Sequence, residues 1–170
     1  MKNDSIVVPN LLYELTEVRP SEISGLGLFA KTKILKGTIW WRAEEGDVLL
    51  ITRAQYESLA RSEQTPNIAA FLETLSVYGY YEEALESLVM CMDNARYCNH
   101  SFTPNSGPTP TSEPLCSMAL RDIEAGEEIL EDYSEYDKCP WLEMCESFME
   151  DAVINTSRRG RIPEGGLTCC

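Results

Sequence analysis

At 170 residues, with 44% hydrophobic and 25% charged side chains, the chain has the length and apolar content for one domain with its own core. A net charge of −14 argues against binding nucleic acid through a basic face, and no apolar run is long enough to span a bilayer. The last sixteen residues hold three Arg and one Glu, so residues 1–154 carry −16, which suits either plain solubility or a cationic partner such as a Lys-rich peptide.

In chain order, Tyr13–Val18 (YELTEV) alternates loosely, and ISGLGLFA (Ile23–Ala30) and TIWW (Thr38–Trp41) follow. These read as short strands joined by glycine turns, the clearest at Lys36-Gly37. From Thr52 the character changes. TRAQYESLARSE spaces Ala54, Leu59 and Ala60 helically behind a Thr52 cap, and NIAAFLETLSV repeats the pattern after Pro66. A helical insert over about 52–87 therefore interrupts a strand-rich chain, and Leu88–Met92, Leu115–Arg121 and Glu127–Tyr133 return to strand patterns. Pro140 opens a helix, within 138–154, that sets Trp141, Met144, Cys145, Phe148 and Ala152 on one face. Residues 155–170 have no period and read as a mobile tail. The predicted class is α+β, mainly β.

Three stretches stand out. Gly25-Leu26-Gly27-Leu28-Phe29-Ala30 taken alone reads as a tight turn. MDNARYCNHSFTPN, residues 92–105, places the only histidine, His100, in a segment too polar for ordinary core. The last is ALRDIEAGEEILEDY, from Ala119 to Tyr133. Together, in this order and spacing, they resemble the SET-domain protein lysine methyltransferases, with their GxG-(V/L)-F-A, R-(F/Y)-x-N-H-S-x-x-P-N and A-x-R-D-I-x-x-G-E-E-(L/I)-x-x-x-Y motifs; the resemblance spans about 12–137.

The resemblance implies a SET fold in which the N-H-S segment threads beneath the closing motif as a pseudoknot, and S-adenosylmethionine as cofactor. The main chain of Leu26, Gly27 and Leu28 would approach that cofactor, Asn99 and His100 would contact it, and Asn105 would close the turn after Pro104. His100 reads as a structural and cofactor-contacting residue rather than a general base. Tyr133 is the predicted catalytic residue, also touching the cofactor; its bland alternative is a core tyrosine with a satisfied hydroxyl. The substrate would be lysine in a basic protein, histone or other, without nucleic acid or membrane, in the nucleus or cytoplasm. A chain with seven cysteines and no apparent export signal fits that reduced compartment. An inactive SET-fold binding or regulatory module is the alternative.

The sequence also departs from the motifs. Phe102 stands where many members have cysteine after N-H-S, and the zinc-binding CxCxxxxC is absent, so no metal is expected around Cys139 and Cys145. The helix from Pro140 would then close the site, with Trp141 or Phe148 over the adenine or the lysine channel, unless that face is ordinary core. Glu131 replaces the Phe or Tyr that tunes methylation number in many members, leaving that number open. Leu26 occupies a position often basic or polar, so Arg96 or Lys31 would meet the cofactor's carboxylate. Cys169-Cys170 resembles the prenylated end of small GTPases but is read as unmodified.

Overall fold

The computed structural model describes residues 9–62 and 65–141. A helical turn, α1 (Leu12–Leu15), stands where alternation predicted strand: Leu12 is fully buried, and Thr16 Oγ1 donates back to its carbonyl at 2.6 Å. Strand β1 (Thr16–Pro20) follows and pairs antiparallel with β2 (Leu26–Ala30).

A three-stranded sheet runs β3 (Ile39–Arg42), β9 (Cys116–Ala119), β8 (Ser106–Pro108), and a second runs β4 (Val48–Thr52), β6 (Ser87–Cys91), β5 (Gly79–Glu82), all antiparallel. The central β6 is buried along its whole length, which accounts for its apolar run. Helix α2 (Arg53–Arg61) begins behind a capping box in which Thr52 and Gln55 satisfy each other's backbone N–H groups. Helix α3 (Pro66–Tyr78) has Thr65 as its cap and Pro66 in its first turn, where the missing N–H costs nothing.

The predicted helical insert ends earlier than its expected limit at 87. Gly79–Glu82 is strand because Tyr80 packs against one core and Tyr81 lies in the other, an alternation that only extended backbone permits. The first core gathers Leu12, Leu28, Ile34, Trp40, Ile123 and Ile129; the second holds Ile51, Leu75, Tyr81, Leu88, Met90 and Cys139 under the helices.

Two matched turns join the first motif region to the last. Ile34 bridges Ile123, and each is followed three residues on by a glycine, Gly37 and Gly126, both at φ +84°, which disfavours a side chain. The pseudoknot region lies beyond them: β7 (Asn99–His100) pairs in parallel with β10 (Leu130–Glu131). Asn105, 1% exposed, latches it, donating from Nδ2 to Glu128 O at 2.7 Å and to Glu127 Oε1 at 3.1 Å, and accepting Leu130 N–H on Oδ1 at 2.8 Å.

Glu127 also accepts from Arg121 Nη2 at 2.5 Å and from the Glu124 N–H at 2.9 Å. The Arg121 guanidinium first, then the Glu124 N–H and the Asn105 amide, hold its pKa down to about 2. Because the folded value lies below the unfolded one, its stabilisation is complete above the ordinary carboxylate value of about 4.3 and is lost as pH falls toward 2. The stability difference between wild type and Glu127→Gln should therefore shrink on acidification through that window in urea titrations; a difference independent of pH there excludes this linkage.

The predicted C-terminal helix beyond Trp141, with Met144, Cys145, Phe148 and Ala152, and the tail 155–170 lie outside the described residues. Pro140 and Trp141 themselves form a turn.

Candidate active site

The N-H-S segment and the closing motif meet through side chains as well as through β7 and β10. His100 is 6% exposed, and its Nδ1 accepts the Tyr133 N–H at 3.1 Å. A neutral ring accepting on Nδ1 carries its proton on Nε2, and that buried nitrogen has no protein partner. Asp132 Oδ1 stands 3.8 Å from Nδ1, too far to orient the ring, so the geometry is not that of a carboxylate-positioned general base.

Asn99 Nδ2 faces Glu128 Oε1 at 2.8 Å, Leu26 O at 3.1 Å and Ser24 O at 3.3 Å, while Ser21 Oγ donates to Glu128 Oε2 at 3.0 Å. The asparagine amide thus fastens the glycine loop to the closing motif. A methyl group at Gly27 would collide with the Glu128 carboxylate and Ser21, so this glycine is required by the protein's own contacts rather than by a cofactor alone. Leu26 leaves its side chain exposed. Leu28 is fully buried, and its carbonyl accepts the Ile129 N–H at 2.7 Å.

Five rings form a continuous row. Phe102, 60% exposed, meets His100 edge-on at 4.6 Å; His100 lies 5.2 Å from Tyr133, Tyr133 5.3 Å from Tyr136, and Tyr136 5.3 Å from Tyr80. The far end of the row opens into a cavity of about 310 Å³ walled by Tyr78, Tyr80, Tyr133 and Tyr136. Acids predominate in its lining: Glu82, Glu113, Glu131, Asp132, Glu135 and Asp137, against Arg96 as the only base among the described residues. Sequence reasoning missed Tyr80 and Tyr136, which carry no motif; their aromatic character next to Gly79 and after the closing tyrosine was the available signal.

Tyr133 donates its hydroxyl to Cys98 O at 2.5 Å. Burial first, then the neighbouring Cys98 and Glu131, push its pKa up, so it is a neutral phenol. Cys98 donates its thiol to Ile129 O at 3.3 Å, and burial keeps it protonated, which leaves it no nucleophilic role. Arg96 lines the cavity, stacks 5.0 Å over Tyr97, and has a buried Nε without a partner. Lys31, the other expected carboxylate contact, donates to Tyr13 O at 2.6 Å. Trp141 is away from this row, its ring 5.8 Å from Tyr56 and 6.1 Å from Tyr81 beside the second core. There it packs against Tyr56 of α2 and Tyr81 of β5.

Compared with protein-family models, residues 25–134 match the SET domain. The chain belongs to the SET-domain family. The matched residues take in all three motif regions and the parallel β7–β10 pair. No curated protein matches the chain. A solved structure of a candidate histone methyltransferase from Plasmodium falciparum is similar, at 21% identity and a TM-score of 0.47, over 71% of this chain and 93% of that one. Membership rests on the family match. Among the described residues of this SET domain, no helix is long and apolar enough to cross a membrane, and no group of three His, Cys, Asp or Glu is placed to hold a metal ion.

Proposed function

We propose that this SET domain, spanning about 12–137, is an S-adenosylmethionine-dependent methyltransferase acting on the side-chain amine of lysine in a basic intracellular protein such as a histone. The observation that carries the reading is the position of Tyr133, between the His100–Phe102 face and an acidic, tyrosine-walled cavity. His100 Nε2 and Arg96 Nε are buried donors without partners, which suits the acceptor atoms of an adenosine and a carboxylate. They, with the backbone of Leu26, Gly27 and Asn99, are the groups that would hold the cofactor. When bound, S-adenosylmethionine supplies a methyl group on a sulfonium, an electrophile that needs no further activation.

The chain's own residues then align and desolvate the amine. With its proton donated to Cys98 O, the Tyr133 oxygen keeps lone pairs free to accept an amine N–H and fix the nitrogen's direction of attack. Tyr80 and Tyr136, both kept neutral chiefly by burial, wall the amine from water at the point where it must shed its proton before it attacks. Closure by the segment 138–154 belongs to the same proposal.

Equilibrium binding of S-adenosylmethionine to the full chain, followed by radiolabelled methyl transfer to histones and whole-cell lysate, tests the reading. Micromolar binding and labelled lysine are expected. Undetectable cofactor binding by folded protein favours an inactive SET module that recruits basic proteins.

A further inference from the structure

We propose that Glu131 is the residue by which the cavity selects a cationic side chain, the substrate amine entering as an ammonium ion against its carboxylate. The inference rests on the reading of the cavity as the amine channel and assigns its specificity to one position.

Glu131 is 7% exposed and lines the cavity. Each carboxylate oxygen carries one hydroxyl donor: Ser106 Oγ on Oε1 at 2.8 Å and Tyr136 OH on Oε2 at 2.6 Å. Ser106 in turn accepts Trp40 Nε1–H at 2.8 Å, so the acid is fixed through a buried chain anchored on β3 and β8. Hydroxyl groups orient a carboxylate without neutralising it, and each oxygen retains a lone pair for a further donor.

No Lys, Arg or His nitrogen forms an ion pair with Glu131 among the described residues. Tyr80, Tyr133 and Tyr136, which share the cavity with it, are kept protonated chiefly by burial, with Glu131 among the lesser causes. A buried carboxylate is costly without a counter-charge, and here the open side is the cavity itself. Arg96 is the cavity's only base among the described residues and makes no ion pair with it, whereas Glu82, Asp132 and Glu135 extend the negative potential around the same space. An incoming ammonium satisfies the carboxylate with the three N–H donors that the hydroxyls lack. A neutral side chain of equal length would leave the charge buried and uncompensated, so discrimination comes from the mismatch as much as from the match.

The test compares two peptides, Ac-Gly-Ala-Lys-Ala-Gly-NH2 and its counterpart with norleucine for lysine, titrated into the full chain while the Trp40 indole N–H resonance is followed. Wild type should bind the lysine peptide about tenfold or more tightly than the norleucine peptide, and Glu131→Gln should bring the ratio close to one. An unchanged ratio in Glu131→Gln, or no preference in wild type, overturns the proposal. Should Glu131→Gln fail to fold, Tyr136→Phe serves in its place: it removes one donor and keeps the carboxylate. It should preserve or increase the ratio, and a ratio near one overturns the proposal. Because the readout is binding, a wild type that prefers lysine yet transfers no methyl group refutes the proposed activity while supporting this role for Glu131.

Discussion

Tyr133→Phe is expected to lower methyl transfer by about ten- to a thousandfold, the scale of losing one oriented transition-state contact. The fold should survive, because the phenyl ring keeps its place between His100 and Tyr136 and the lost bond to Cys98 O is worth about 1 kcal/mol. Binding of S-adenosylmethionine should change by only a few-fold, since the hydroxyl belongs to the cavity side. Burial and the neighbouring charge hold this phenol neutral, so wild-type turnover should show no loss attributable to tyrosine ionisation below about pH 10. Steady-state kinetics with a lysine peptide, alongside calorimetric cofactor binding, separates the two effects. Turnover equal to wild type would remove Tyr133 from the mechanism, and loss confined to cofactor affinity would move its role to the other face.

Asn105→Ala should be strongly destabilising. Its side chain makes three hydrogen bonds across the β7–β10 junction, and the alanine would leave the Leu130 N–H and the Glu128 carbonyl without that partner at a site 1% exposed. At about 1–3 kcal/mol for each unsatisfied buried group, the loss is about 3–5 kcal/mol, a large share of a domain's usual stability. For a chain of this size that corresponds to a fall in Tm of roughly 10 °C. Thermal melts by circular dichroism measure it directly. A Tm within about 2 °C of wild type would mean that the junction is held by its backbone pairing alone.

The contrast between Asn105 and Asn99 shows what the motifs convey. Both belong to the N-H-S signature, which implies Asn99 at the cofactor and Asn105 at the turn after Pro104. In the folded chain Asn105 binds the closing strand, and Asn99 fastens the glycine loop to Glu128. Gly27 is likewise bare because Glu128 approaches it, not simply to admit a ligand. A motif records that residues are needed together, while the contact that requires each one is formed across about 20 to 100 residues of chain and has no local signature.

The sequence by itself determined the elements whose causes are local: the Thr52 capping box, the cap and proline that open α3, the buried run of β6, the Gly37 turn, and the three motifs that mark a SET domain. Each depends on residues within a few positions of one another, where spacing and side-chain chemistry suffice. Tertiary structure alone decided the rest. β7 and β10 have two residues each, too few for any period, and exist only because they pair with each other. Strand β5 was hidden behind a helical pattern until two cores claimed alternate tyrosines. The cavity draws Tyr78 and Tyr80 from one end of the insert, and Glu131, Tyr133 and Tyr136 from about fifty residues later. Its shape and charge are properties of that convergence, fixed by long-range packing that no window of sequence contains.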